Sequence, residues 1–296
     1  VPWELWLHYG DLQVLSEHYD AMLRYINYVE KEYIDPASGL FTQNRHEAKL
    51  GDWLGLQDGM NDKSLLFESY YIYCLDIMQN AARLLNKNTD EARFECTLEA
   101  RKKFFIQTYL HPQTMRTIAS GFEGKQKGNL IDIQGSYVLP LAFGITEGET
   151  RTKLFNNLVR TIERANTTDT KTQCPPYSLM TGFITTSWIS RVLTDGGRPD
   201  VAYRLLQNTA YPSWLYPVTQ GATTIWERLN SYTHTDGFGG NNSMTSFNHY
   251  SFGSCTEWMF EYCLGIRPQA EVPGFKKVTF APVFDPTGKI TSAEGH

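Results

Sequence analysis

The chain has 296 residues, of which 41% are hydrophobic and 20% are charged. This length allows one large core or two modest domains, and the 14% aromatic content excludes a disordered chain. The formal net charge is −5 with scattered Lys and Arg, which excludes a nucleic-acid backbone as the main partner. A neutral small molecule or a protein surface fits this charge better.

No segment has the composition of a membrane span, because the longest apolar run, near 135–145, is shorter than the roughly 20 residues required. The cysteines form no CxxC pair, so the sequence indicates neither a metal site nor a cofactor. Their usage is compatible with a cytoplasmic, periplasmic or secreted protein. Four of them lie in apolar helical patterns and are predicted to be small core residues: Cys74, Cys96, Cys255 and Cys263.

The first half of the chain predicts long helices of two kinds. Residues 11–33 carry apolar side chains at spacings of three and four, with Asp11 as the N-cap. Residues 64–85 are apolar on nearly every face, which is typical of a buried helix. Residues 89–110 have one charged face, and residues 1–10 have the pattern of a helix interior.

The second half continues this alternation of apolar and charged helices. Further helices are predicted at 134–143, 146–166, 181–193, 200–208 and 247–264. Thr146 and Glu149 predict a capping box for the charged helix that they begin. Alternating apolar and charged helices indicate an inner and an outer ring, as in a mainly α (α/α)6 toroid. The pattern gives about nine helices, which predicts an incomplete toroid.

The end of the chain changes character. Residues 275–283 alternate and are β-branched, and 289–292 predict a second strand. We therefore predict that residues 1–267 form part of the toroid and that 268–296 begin a C-terminal β-sandwich domain. Two strands cannot form an independent sandwich, so we expect them to pair with a further segment or to lie on the toroid.

Three long loops, 35–62, 166–178 and 216–248, are predicted to gather at one end of the toroid. They and their borders concentrate side chains that recognise sugars, namely Arg45, His46, Glu47, Asp52, Trp53, Asp58, Trp226, Glu227, His234, Asp236 and His249. We predict that Asp52 and Trp226 are among the residues that bind a carbohydrate substrate.

The stretch TTIWERLNS, residues 223–231, contains the strongest catalytic candidate. Glycoside hydrolysis uses two carboxyl groups, one to protonate the leaving oxygen and one to attack or to activate water. Glu227 fits one of these roles, because Trp226 and Arg228 on either side could hold it and keep it ionised. An ordinary Glu–Arg ion pair in a loop remains the alternative at this point.

Longer motifs carry a family resemblance. They are VPWELWLHYGD (1–11), GDWLG (51–55), MTGFITTSWISRVLTDGGRPDVAYRLL (180–206), YPSWLYPVTQGATTIWERLNS (211–231) and FNHYSFGSCTEWMFEYCLGI (247–266). These stretches resemble the catalytic region of the α-L-rhamnosidases of glycoside hydrolase family 78. The tail PGFKKVTFAPVF resembles the entry into that family's C-terminal β domain.

The resemblance implies an inverting hydrolase that removes terminal, non-reducing α-L-rhamnose without a cofactor. It implies that Glu227 is the general base, that Trp3 and Trp53 pack against the sugar, and that His249 binds a ring hydroxyl. The alternative for Trp3 is a residue of the toroid core, and Trp53 and His249 have structural alternatives of the same kind.

The chain departs from the family pattern in two places. Leu229 stands where the family often has tryptophan, which changes one wall of the expected pocket. The family's general acid lies upstream of the VPW motif, and these 296 residues contain no counterpart. We therefore expect a longer protein, cut here at both ends. Because a general acid contributes about 10²–10⁴ in rate, we expect this chain alone to be nearly inactive.

Two other readings compete with this one. Another six-hairpin carbohydrate hydrolase, of the glucosidase or uronyl hydrolase type, would pair Asp52 with Glu227. A non-catalytic carbohydrate-binding toroid would bind rhamnose without hydrolysing it. A helical-repeat interaction protein is disfavoured, because no self-similar repeat is visible.

Overall fold

The computed structural model describes residues 1–41, 51–238 and 245–295. This part of the chain is mainly helical, with short strands in two places. The α-helices are α1 (Pro2–Tyr9), α2 (Leu12–Tyr33), α3 (Lys63–Leu84), α4 (Asn88–Tyr109), α5 (Gln134–Ala142), α6 (Gly148–Glu163), α7 (Phe183–Asp195), α8 (Pro199–Gln207), α9 (Tyr216–Thr219) and α10 (Cys255–Trp258). The strands are β1 (Asn166–Thr167), β2 (Gln173–Cys174), β3 (Ile266–Pro268) and β4 (Val278–Phe280).

Consecutive helices pair into hairpins, as the alternation of apolar and charged helices predicts. The pairs are α3 with α4, α5 with α6, and α7 with α8. Helix α5 contacts both α3 and α7, while α6 contacts α8, so α3, α5 and α7 form an inner row. Eight of the nine residues of α5 are buried, whereas the 22-residue α4 buries only Phe94, Leu98, Phe105 and Tyr109. The prediction of an apolar inner layer and a charged outer layer is confirmed.

Helix α2 begins where its sequence predicts. The Asp11 carboxylate accepts hydrogen bonds from the amides of Gln13 and Val14, so Asp11 is the N-cap. These bonds satisfy amides that have no partner inside the helix. The buried residues Leu15, Tyr19, Ile26 and Val29 then face the core at helical spacing.

We expect Asp11→Ala to lower the free energy of unfolding by about 1 kcal/mol, because the cap is lost and no core contact changes. Urea denaturation of the variant measures the effect. Asp20→Ala, at an exposed position inside the same helix, is the control and should change the stability much less. Equal losses in the two variants would show that the N-cap contributes nothing specific.

The predicted capping box of the charged helix is wrong. Helix α6 begins at Gly148, two residues after Thr146, and its N-cap is Glu147 without a side-chain hydrogen bond. Thr146 is buried, and Glu149 pairs instead with Lys153 at 2.8 Å. The chain enters the helix through Gly148 in a left-handed conformation, which places Thr146 outside the first turn.

The prediction of one continuous helix over 247–264 is also wrong. Residues 245–250 are irregular with bends, Ser251–Ser254 form a 3₁₀ turn, and α10 is followed by a π-helical turn at Met259–Cys263. The apolar pattern is real, since Phe252, Cys255, Trp258 and Tyr262 are buried. Nonlocal backbone hydrogen bonds of Ser246 and His249 to residues 225–227 displace the helix start.

The tail forms one strand of the two predicted. β4 lies within the predicted 275–283 segment and pairs antiparallel with β3, which directly follows the last helical turn. Residues 289–292 are not a strand, because the Asp285 carboxylate accepts the amides of Thr287, Lys289 and Ile290 in a turn. The β3–β4 pair spans the predicted boundary at 267/268, and a separate C-terminal β domain stays a prediction.

The five cysteines are free thiols. Cys255 is buried and Cys74 and Cys263 are half-buried, as expected for core positions. Cys96 is exposed on the outward face of the outer helix α4, so its prediction as a core residue is wrong.

Within the described ranges, no helix combines the length and apolar character needed to cross a membrane.

Candidate active site

The three long loops meet at one end of the inner helices. The Leu56 amide donates to the Met180 carbonyl, the Leu56 carbonyl accepts the Asp169 amide, and the Leu179 amide donates to the Pro212 carbonyl. A cavity of about 40 Å³ lies between the loops, too small for a sugar ring. Its lining comes from the first and third loops and from residues that border the second and third, namely Leu54, Leu56, Leu179, Thr181, Tyr211, Arg228, Leu229, Asn230 and Phe252. The predicted convergence of the loops is confirmed, and Leu229 forms part of a wall there.

Glu227 lies in an irregular segment that is hydrogen-bonded to residues 246–249. Its amide donates to the Ser246 carbonyl at 2.8 Å, and the Ser246 amide donates to Glu227 Oε2 at 2.8 Å. The His249 amide donates to the carbonyl of Ile225, also at 2.8 Å. The side chain of Glu227 is partly exposed, and its Oε1 has no hydrogen-bond partner among the described residues. This ladder of three hydrogen bonds holds Glu227 and His249 on adjacent segments.

His249 is held between two aromatic rings. Phe183, the first residue of α7, stacks on it with a centroid distance of 4.7 Å, and Tyr250 stacks at 5.5 Å. The Ser251 amide donates to His249 Nδ1, which assigns the proton of the neutral ring to Nε2. The Phe183 amide in turn donates to the carbonyl of Trp53 at 2.9 Å. Trp53 and His249 are thus connected through Phe183.

Asp52 is 2% exposed and binds protein groups on every side. Its Oδ2 accepts the Gly182 amide at 2.7 Å and the Thr185 hydroxyl at 2.5 Å. Its Oδ1 accepts the amides of Ile184 and Thr185 at 3.1 and 3.2 Å. Burial raises the pKa of Asp52 to about 6, although these hydrogen-bond donors favour the carboxylate and so lower the pKa. A direct contact between Asp52 and substrate stays a prediction.

Trp226 is 6% exposed and lies in an aromatic cluster behind Glu227. Its ring meets the edges of Phe247 and Tyr232 at centroid distances of 5.3 and 6.5 Å, and Phe238 contacts both of those rings. The cluster anchors the segment that carries Glu227. A contact of the Trp226 indole with substrate stays a prediction.

Trp3 lies on α1, with its ring 4.8 Å from that of Trp6. It lines a groove of about 380 Å³ together with Met22, Cys74 and Met78 of α2 and α3. The described residues lining this groove do not include Trp53, Glu227 or His249. Among the described contacts, nothing joins Trp3 to the other predicted site residues, and its contact with sugar stays a prediction.

The remaining candidates contribute differently. Arg45, His46 and Glu47 lie outside the described residues. Asp58 accepts the Asp52 amide at 2.8 Å and so helps to hold the first loop. His234 and Asp236 lie in the exposed turn beside Phe238. In the described part of the chain, no group of three His, Cys, Asp or Glu side chains could hold a metal ion.

Hydrogen bonds and the Phe183 ring connect the segments that carry Glu227, His249 and Trp53, next to a row of paired helices. The model of the bacterial α-L-rhamnosidase six-hairpin glycosidase domain matches residues 1–263. The chain belongs to this α-L-rhamnosidase family.

Relatives and solved structures of the family align over nearly the whole chain. An α-L-rhamnosidase of Streptomyces avermitilis is 34% identical over 99% of this chain and 25% of its own length. One of Formosa agariphila is 31% identical over 99% of this chain and 29% of its own. The crystal structure of the Streptomyces avermitilis enzyme complexed with L-rhamnose aligns with a TM-score of 0.76, covering 96% of this chain and 24% of that one. The chain therefore spans about a quarter to three tenths of these rhamnosidases.

Sequence reasoning missed three residues of this candidate site. Ser246 holds the Glu227 carboxylate, while Phe183 and Tyr250 hold the His249 ring. Phe183 follows Gly182 directly, and an aromatic residue immediately after a glycine at a loop–helix junction was the available signal. The predicted helix start at Thr181 placed Phe183 inside the helix instead.

Proposed function

We propose that the protein containing this chain is an α-L-rhamnosidase that hydrolyses terminal, non-reducing α-L-rhamnose from oligosaccharides or glycosides. The observation that carries this proposal is the paired ladder of 225–227 and 246–249. It holds the partly exposed Glu227 carboxylate and His249 on adjacent segments, and Phe183 connects His249 to Trp53. Family membership favours this function over a glucosidase or uronyl hydrolase.

Glu227 acts as the general base in this proposal. The Ser246 amide holds Oε2, which leaves Oε1 to accept a proton from water. The activated water then attacks the anomeric carbon while a second carboxyl group protonates the leaving oxygen. Because water attacks from the face opposite the leaving group, the configuration inverts and the first product is β-L-rhamnose.

His249 and Trp53 recognise the sugar in the same proposal. With Nδ1 accepting the Ser251 amide, the Nε2–H of His249 donates to a rhamnose hydroxyl. The indole of Trp53, partly exposed on the first loop, offers a flat apolar face to the C–H groups of the ring and its methyl group. Neither contact requires a cofactor.

The test uses the full-length product of the gene that encodes this chain. Aryl glycosides of α-L-rhamnose, glucose and glucuronic acid are compared, and NMR follows the anomer released first. We expect hydrolysis of the rhamnoside alone, with β-L-rhamnose appearing first. Preferential cleavage of the glucoside or glucuronide would support the other type of six-hairpin hydrolase. Rhamnose binding without hydrolysis would support the non-catalytic toroid.

A further inference from the structure

The start of helix α7 is bound entirely by two residues of the first loop. The first four amides of a helix have no partner inside it. Here the amides of Gly182, Ile184 and Thr185 donate to the Asp52 carboxylate, and the Phe183 amide donates to the Trp53 carbonyl. The residue at the N-cap position, Gly182, has no side chain to supply these acceptors. Asp52, 130 positions earlier in the chain, takes that role.

The backbone and side chain of Asp52 lie too close to three neighbouring positions for those positions to carry a side chain without a shift. A Cβ atom on Gly182 would lie 2.2 Å from the Asp52 carbonyl oxygen, and one on Gly55 would lie 2.8 Å from the same atom. A Cβ on Gly135 of α5 would lie 3.1 Å from Asp52 Oδ2. Glycines on three sides thus let the backbone approach the Asp52–Trp53 dipeptide closely.

We infer that Asp52 is a positioning residue for substrate recognition, which fixes Trp53 and, through the start of α7, Phe183 and His249 in one rigid unit. Trp53 is covalently next to Asp52, and Phe183 is the residue of α7 whose ring stacks on His249 at 4.7 Å. The carboxylate therefore sets the separation of the two groups proposed to hold the sugar. This inference rests on the proposed rhamnosidase function.

The positioning role requires that both carboxylate oxygens of Asp52 accept hydrogen bonds. The Asp52 carboxylate accepts all four of its hydrogen bonds from protein donors, so Asn at this position would place an amide N–H₂ against N–H or O–H donors. The start of α7 would lose at least one bond and move relative to the first loop. Trp53 and His249 would then no longer be held at a fixed separation.

Asp52→Asn in the full-length gene product tests this with two measurements. L-Rhamnose affinity is measured by calorimetry, and the ring-proton shifts of His249 are measured by NMR, assigned with His249→Gln. We expect the Kd for L-rhamnose and the KM for the aryl rhamnoside to rise by about tenfold or more, with a smaller change in kcat. We also expect the His249 ring signals to move, because the ring current of Phe183 changes.

Asp62→Asn is the matched control. Asp62 is also fully buried and begins α3, accepting the amides of Ser64 and Ser120 and the Ser120 hydroxyl. The Asp62→Asn variant should lose about as much unfolding free energy as Asp52→Asn, while its rhamnose affinity and His249 signals stay unchanged. Equal effects of the two substitutions on affinity would overturn the inference, since Asp52 would then act only through general stability.

Thr185→Val decides the question if Asp52→Asn does not fold. Valine keeps the shape of the side chain and removes one of the four donors to Asp52. We expect a rise in Kd of about threefold and a partial shift of the His249 signals. Unchanged His249 signals and affinity would overturn the inference.

The failure of the proposed function is distinguishable from the failure of this inference. If wild-type protein binds and cleaves no rhamnoside, the proposed function fails. A shift of the His249 ring-proton signals only in the Asp52 and Thr185 variants would still demonstrate the positioning.

Discussion

Glu227→Gln in the full-length gene product is expected to lower kcat for an aryl α-L-rhamnoside by about 10²–10⁴-fold, with little change in KM. Glutamine is nearly isosteric with glutamate, and its amide oxygen can still accept the Ser246 amide, so the ladder should remain intact. The amide cannot accept a proton from water in the transition state. The loss therefore falls on the chemical step rather than on rhamnose binding.

Initial rates and L-rhamnose affinity measured on the same preparation separate the two effects. Glu257→Gln is the control, because Glu257 is a half-exposed carboxylate on α10 that pairs with Arg191. That variant should keep wild-type kcat. Unchanged turnover in Glu227→Gln would remove Glu227 from the mechanism. A large loss of rhamnose affinity would instead make it a binding residue.

The helices were predictable because their signal is local. Helices α2, α3 and α4 begin and end within one residue of the predicted 11–33, 64–85 and 89–110. Each has an apolar pattern of about six turns, and α2 and α3 also have a side-chain cap from Asp11 and Asp62. Periodicity over such a length leaves little room for another interpretation.

The region 245–254 was mispredicted because its backbone partners are nonlocal. The apolar residues from Phe247 to Phe252 fit a helical spacing, yet the Ser246 and His249 backbones bond to residues 225–227. The aromatic cluster of Trp226 and Phe247 gives these apolar side chains a buried environment without a helix. A pattern of apolar residues specifies burial before it specifies backbone geometry.

The candidate site could be proposed from the sequence where a motif contains the residue, as for Glu227 and His249, whose roles stay predictions. It was not predictable where a role depends on distant backbone amides. The sequence marks Asp52 as an acidic residue in a loop and contains nothing that places it at the start of α7. The same is true of Phe183, whose contact with His249 depends on two loops meeting.

Breaking the buried ion pair between Glu68 and Arg101 is expected to have the largest effect on stability. Glu68 of α3 is fully buried, and both of its oxygens accept hydrogen bonds from the Arg101 guanidinium of α4. Arg101 also donates to the carbonyl of Gly39 at 2.9 Å and lies 4.3 Å from the Phe104 ring centroid. The pair thus ties the first loop to the α3–α4 hairpin.

Arg101→Met should lower the free energy of unfolding at pH 7.5 by about 3–5 kcal/mol, because it leaves a buried carboxylate without its charge partner. Burial already raises the pKa of Glu68 while Arg101 is present, and removing the cation raises it further. The folded variant then favours the protonated carboxyl, so its loss of stability should shrink as the pH falls towards the ordinary range of glutamate.

Urea denaturation at pH 7.5 and pH 5 checks both the size and the sign of this effect. The double variant Glu68→Gln/Arg101→Met should recover part of the loss, since no buried charge remains. Lys153→Met, which breaks the exposed pair with Glu149, is the control and should leave stability unchanged within error. A loss in Arg101→Met that is independent of pH, or undiminished in the double variant, would place its cause in packing against Phe104 and Gly39 rather than in the charge left on Glu68.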